Sequence, residues 1–331
     1  MRLIKGFTIL FLSGALLTTI AGALWLSILR QGAQSHDPLP LYRQTTAEIT
    51  MDAERKREIL DVRLIDPDNQ QLTFSLSLPK DHFVNEAGKK LPILIVISGF
   101  RSAHHNLERI PEPGPNVIIS YDYPYDSKEW KEANFLSRAL IAQNVAYRIP
   151  NEVAGLMAWI QRQPWADTSR MSLAGISLGA IALPVIRRRA SATGQTDGPS
   201  VIAYGGVDIQ ALAAANLRIT PSWLREIAAW AVWLLLKPLE PEAHLSEISG
   251  PFLVINGKND ERLPADSVAR LQALLPEPKT ILNVEGAHID GKRPEIIENT
   301  VRLARDWLVS QGALNPSRKK ATIHETTILS W

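Results

Sequence analysis

Residues 171–180 read Met171-Ser172-Leu173-Ala174-Gly175-Ile176-Ser177-Leu178-Gly179-Ala180, an apolar run that ends in Gly-x-Ser-x-Gly and opens into a helix-compatible stretch. A buried strand followed at once by a helix, with a serine on the turn between them, forces a sharp change of chain direction. Small residues two before and two after the serine leave room for that turn, and the hydroxyl is thrust outward. The first N–H groups of the helix then face the space beside the hydroxyl, where a negative oxygen can be held. Glycine and serine are common, so the pattern draws its weight from its place between strand and helix. The competing reading is a glycine-rich turn without chemical duty.

Further apolar runs lie on either side. Ile93-Leu94-Ile95-Val96-Ile97 is continuous, as a strand covered on both faces should be. Shorter runs follow at 117–120, 201–204 and 252–255, with a weaker one at 280–284. Helical stretches at 151–162, 264–275 and 294–309 alternate with them, the last ending near Gly312 as a cap. Upstream, 59–65 and 72–78 read as two strands of a hairpin, joined by the turn residues Asp66-Pro67-Asp68-Asn69. Buried strands alternating with amphipathic helices predict an α/β domain over 59–312: a mostly parallel central sheet flanked by helices on both faces. Residues 31–58 read as a polar linker and 313–331 as a weakly structured tail.

Within the domain, 207–249 reads as a lid or cap insertion. Pro221 and Pro238 bracket a helix over 221–237 that carries Trp223, Trp230 and Trp233 and has no charge from 227 to 236. Such a helix either packs against the sheet, the preferred reading, or forms a lid that lines an apolar pocket or touches a membrane surface. It is too short to span a bilayer.

The composition of the 331 residues excludes several classes of function. Net charge is +2 with Lys and Arg scattered, which gives no basic stripe for nucleic acid. The run Arg187-Arg188-Arg189 reads as a solvated helix face. There is no cysteine, so disulfides, thiolate nucleophiles and cysteine-held zinc are all excluded. The seven histidines contain no HExxH spacing for a catalytic zinc. Residues 7–29 carry no charge and are flanked by Arg2, Lys5 and Arg30. A helix of that length crosses a hydrocarbon core of about 30 Å, so the segment reads as an N-terminal membrane anchor. A cleaved signal is the alternative, with Ala21-Gly22-Ala23 as its small-residue site, although Leu24-Trp25-Leu26 continues the apolar run. Arg2, Lys5 and the terminal amine favour a cytoplasmic N-terminus and an extracytoplasmic globular domain. The alternative is secretion after signal cleavage.

A nucleophilic hydroxyl needs a base, and the base needs a carboxylate to fix its tautomer. After the strand 252–255 come Gly257-Lys258-Asn259-Asp260-Glu261, which put Asp260 on the loop at that strand's carboxyl end. After the next strand, Glu285-Gly286-Ala287-His288 place His288 on the last such loop. In a parallel sheet these loops share one edge with the serine turn. The order Ser, Asp, His along the chain, the Gly175–Gly179 turn and the two glycine-led loops resemble the α/β-hydrolase superfamily over roughly residues 91–310. The resemblance implies Ser177 as nucleophile, His288 as general base and acid, Asp260 as its orienting carboxylate, and no cofactor. It also implies an oxyanion hole from the N–H groups of Leu178 and Phe100. The chain has Ser98-Gly99 where many members have His-Gly, which leaves Arg101 as an alternative donor to Phe100. Glu261 and Asp208 are alternative acids, and His324 in the tail is the other histidine after Asp260. His104 and His105, beside the oxyanion loop, line the pocket or face solvent in this reading. The expected activity is hydrolysis of a small-molecule ester with an apolar acyl or alkyl group. Amide hydrolysis or acyl transfer by the same triad is the runner-up, and a silent membrane-tethered binding protein is the alternative of another class.

Overall fold

The computed structural model describes residues 39–80, 89–99, 102–195 and 198–317, together with Gly22. Nine strands form one sheet: β1 (Arg43–Asp52), β2 (Arg57–Ile65), β3 (Gln71–Pro79), β4 (Leu91–Ile97), β5 (Val117–Tyr121), β6 (Ala166–Ile176), β7 (Ser200–Ala203), β8 (Phe252–Gly257) and β9 (Lys279–Val284). Their order is β1-β2-β3-β5-β4-β6-β7-β8-β9. The first three strands are antiparallel and β3 meets β5 antiparallel, whereas every pairing from β5 to β9 is parallel. The hairpin and the α/β architecture agree with the sequence reading.

β4 is buried along its whole length, and its alternate residues supply two separate cores. Ile93, Ile95 and Ile97 pack on one face with α3 (Phe135–Gln161) and α4 (Leu178–Ala192), while Leu94 and Val96 pack on the other with α1 (Ala103–Glu108) and α9 (Pro294–Ser310). Coverage on both faces is why the strand needs no polar residue. The remaining helices are α2 (Ser127–Glu132), α5 (Ile209–Asn216), α6 (Ser222–Leu236), α7 (Glu242–Leu245) and α8 (Ala265–Leu274). Gly312, at a φ of 70°, closes α9 as the Ala313 N–H donates to the Leu308 carbonyl.

Several boundaries differ from the sequence reading. Part of the 31–58 linker is a strand, since β1 pairs with β2 from Arg43↔Ile65 to Asp52↔Arg57. Both faces of this edge strand are solvated, so its short alternation of Ala47, Ile49 and Met51 with polar residues faces no core and is outweighed by the charged residues around it. The helix read at 151–162 begins at Phe135 and runs through Pro150, because an Asn134 cap at its start and buried Val145, Ala146 and Ile149 outweigh one missing N–H. The tail is packed as far as residue 317: Ala313 and Leu314 are buried, and Asn315 exchanges hydrogen bonds with Asn116. Its remainder, 318–331, lies outside the described residues, as do 31–38.

Arg187 is not part of a solvated face. It is 1% exposed, donates to the carbonyls of Gly198 and Ser249, and lies 5.5 Å from the Phe252 ring centroid. The 222–236 helix is only half-embedded rather than buried against the sheet. Val232, Trp233 and Leu236 pack on the core, while Trp223, Leu224, Ile227 and Trp230 are exposed. The uncharged 7–29 segment lies outside the described residues except for Gly22, and among the described residues no helix is long and apolar enough to cross a membrane.

Candidate active site

Ser177 stands between β6 and α4 with φ 56° and ψ −113°, outside the regions ordinary side chains prefer. Its N–H donates to the Ala203 carbonyl at 2.9 Å, which ties the strained residue to the neighbouring strand β7. The flanking glycines are steric necessities. A Cβ on Gly179 would lie 1.9 Å from the Ile97 carbonyl oxygen, and one on Gly175 would lie 2.5 Å from the Gly179 oxygen. The start of α4 is therefore pressed against the end of β4. That contact brings the end of β4 beside the serine turn.

Two loops at the same sheet edge complete the arrangement. The Ser177 Oγ lies 2.9 Å from His288 Nε2, and His288 Nδ1 lies 2.7 Å from Asp260 Oδ2. The His288 and Asp260 side chains are each 3% exposed, so their mutual contact is shielded from water. The second Asp260 oxygen accepts the N–H groups of Arg262 (2.8 Å) and Leu263 (3.1 Å), which fixes the carboxylate's orientation. Tyr204, just after β7, presents its ring to the imidazole at 76° with 5.5 Å between centroids. The loops themselves are joined by Lys258 N–H to Val284 O and Asn259 N–H to Gly286 O.

The alternative acids have other partners. Glu261 accepts the His288 main-chain N–H at 3.1 Å and meets Arg293 Nη1 at 3.0 Å, while the same Arg293 nitrogen donates to the His288 carbonyl at 2.9 Å. The His288 N–H bond, with the Arg293 guanidinium, holds the Glu261 carboxyl down at about 2. Asp208 caps α5 by accepting the Ala211 N–H. His104 pairs with Asp61 at 3.0 Å and His105 with Glu108 at 3.2 Å.

As the first residue of α4, Leu178 presents an N–H with no acceptor inside its helix. Phe100 and Arg101 lie outside the described residues, as does His324. The sequence reading missed Tyr204, Arg293 and Asp122. Tyr204 follows a buried strand at the same edge as the serine turn, a signal open to anyone reading strand ends. Asp122, after β5, accepts the Ala103 N–H at 2.6 Å and so pins the start of α1; burial pushes its carboxyl up to about 6. Among the described residues no group of three His, Cys, Asp or Glu side chains is placed to hold a metal ion.

A hydroxyl bonded to an imidazole whose far nitrogen meets a carboxylate can lose its proton while attacking a carbonyl carbon, and the imidazole can return that proton to a leaving group. No protein-family model matches the chain, and no curated protein sequence does. Solved structures do resemble it. Acetyl xylan esterase 1 from Thermoanaerobacterium sp. matches at TM-score 0.60 and 14% identity, over 88% of this chain and 93% of that one. An acetyl xylan esterase from Paenibacillus sp. matches at 0.59 and 14%, over 85% and 93%. A puromycin-hydrolyzing peptidase from Mycobacterium tuberculosis matches at 0.55 and 14%, over 79% of this chain but 46% of that one. At such identities the likeness is one of fold.

Proposed function

We propose that this chain, which has the α/β-hydrolase fold, is a serine hydrolase that cleaves a small-molecule ester through an acyl-enzyme. The observation that carries the reading is the unbroken chain of contacts from Ser177 Oγ to His288 Nε2 and from His288 Nδ1 to Asp260 Oδ2, at 2.9 and 2.7 Å. Ser177 attacks the carbonyl carbon as His288 takes its proton. Asp260 holds the imidazole in the tautomer with its hydrogen on Nδ1 and stabilises the imidazolium that forms. The tetrahedral oxygen is received by the Leu178 N–H and by an N–H of the segment after β4, Phe100 in this reading. His288 then gives the proton to the departing alcohol, and water activated by the same imidazole releases the acid.

An ester with an apolar acyl or alkyl group is favoured by the uncharged 227–236 stretch that follows the serine edge. Two of the similar folds belong to acetyl xylan esterases, which favours the same reading. Amide cleavage is the second reading, favoured by the similar peptidase fold. The uncharged residues 7–29 support a single membrane anchor with the domain on the extracytoplasmic side. Resistance of the full chain to alkaline extraction from membranes, with the domain open to external protease, tests the anchor.

A fluorophosphonate probe on the full chain tests the chemistry. Covalent labelling that disappears in Ser177→Ala is the expected result. Persistent labelling in that variant places the nucleophile elsewhere, and absence of labelling in the parent leaves a binding protein with a hydrolase fold. p-Nitrophenyl esters of graded length, run against aminoacyl anilides, separate ester from amide.

A further inference from the structure

The base of the triad sits on a loop without regular structure. β9 ends at Val284, α9 begins at Pro294, and Gly286 between them has a φ of 129°. Asp260 and the Tyr204 ring act on the imidazole, and so can set its side-chain angles. Neither fixes the Cα from which the ring is swung. We propose that Glu261 and Arg293 are positioning residues that clamp the His288 main chain and thereby set the distance from its ring to Ser177; the inference rests on the serine-hydrolase reading.

Both polar groups of the His288 peptide units are taken by this one pair. The N–H goes to Glu261 Oε2 at 3.1 Å, the carbonyl accepts from Arg293 Nη1 at 2.9 Å, and Glu261 Oε1 meets that same guanidinium nitrogen at 3.0 Å. The two residues come from separate elements, the loop after β8 and the residue that precedes α9. Closing the triangle locks the histidine loop to both. The acid loop thus reaches the histidine twice, through Asp260 to the ring and through Glu261 to the backbone. Glu261 and Arg293 are 48% and 34% exposed at the side chain, so their Coulomb attraction alone is weakly stabilising. What they supply is geometry, and a catalytic contact displaced by about 1 Å loses up to about a hundred-fold in rate.

The test uses the full chain with Glu261→Gln, Glu261→Ala, Arg293→Lys and Arg293→Ala, reading kcat and KM on p-nitrophenyl acetate and the fluorophosphonate labelling rate. Expected are ten- to hundred-fold losses in kcat and labelling rate for the alanine variants (about the scale of a displaced contact), with KM held within about two-fold. Glu261→Gln keeps an acceptor for the His288 N–H and is expected to recover part of the loss, as is Arg293→Lys. The double alanine variant is expected to be no slower than the worse single one, since both serve one contact. Parent-like rates in every variant, or no recovery in Glu261→Gln and Arg293→Lys, overturn the clamp while parent labelling at Ser177 leaves the hydrolase reading standing. No labelling of the parent overturns both. If Glu261→Ala does not fold, Arg293→Ala against Arg293→Lys still carries the comparison.

Discussion

The strain at Ser177 can be measured without any substrate. Its φ of 56° and ψ of −113° lie where a Cβ is unwelcome, and such residues cost about 1–3 kcal/mol. Ser177→Ala and Ser177→Gly both lose the hydroxyl and its bond to His288, so that loss cancels between them. What separates the two variants is the Cβ. Glycine relieves the strain but returns about 0.5–1 kcal/mol through its greater freedom in the unfolded chain. Ser177→Gly is therefore expected to be more stable than Ser177→Ala by about 0.5–2 kcal/mol, or a few degrees in Tm for a domain of this size. The same replacement inside α3, Ala158→Gly, meets no strain and is expected to lower stability by about 1 kcal/mol. Urea unfolding of the three variants and the parent reads both differences. Opposite signs at the two positions are the expected result. If glycine is the worse residue at 177 by as much as it is at 158, the turn stores no strain and the mechanical account of the elbow fails.

His288→Ala is expected to lower turnover by several orders of magnitude, and near-normal turnover in an ester assay rules out its role as base. Gly179→Ala puts a carbon 1.9 Å from the Ile97 carbonyl oxygen, so thermal melting is expected to show a loss of about 1–3 kcal/mol together with slower labelling of Ser177. Asp122 has a carboxyl raised from the ordinary 3.8 to about 6, so the folded chain holds that proton more tightly than the unfolded one. Stability from this group is then greatest below about 4 and declines as pH rises to about 6. Asp122→Asn keeps an acceptor for the Ala103 N–H and removes the decline, which gives it an advantage on the order of 1–3 kcal/mol above pH 6 and none near pH 4. Melting curves at the two pH values check the crossover.

The legible parts of this chain are those where one residue type answers one physical demand. A strand covered on both faces favours apolar residues throughout, and Leu91–Ile97 carries nothing else. Gly175 and Gly179 have backbone within 2.5 Å of any added carbon, so no other residue fits. Asp260 was readable because it follows the buried strand β8, and His288 because it follows the next, half-exposed strand β9 at the same edge. β1 was not, since an edge strand solvated on both faces demands no apolar face, and the brief alternation of Ala47, Ile49 and Met51 stands alone among polar residues. The burial of Arg187 was hidden for a related reason. Its partners, the carbonyls of Gly198 and Ser249, come from segments 11 and 62 residues away, and a local charge run says nothing about them.

The helix over Ser222–Leu236 marks where reading from sequence stops. Its tryptophans at 223, 230 and 233 lie on one helix, yet Trp233 packs on the core while Trp223 and Trp230 are exposed. Which of them is covered depends on the position of α6 against α3 and α5, and helix packing has no hydrogen-bond ladder to register it. The triad differs because parallel pairing, residue against residue from Ile255↔Leu282 to Gly257↔Val284, brings the ends of β8 and β9 level. Chemistry carried on strand ends inherits that register, and specificity carried on packed helices does not. The same division fits a fold shared with esterases and a peptidase at 14% identity: pairing along the ladder fixes where strands end, while the packing of the helical walls around them is free to diverge.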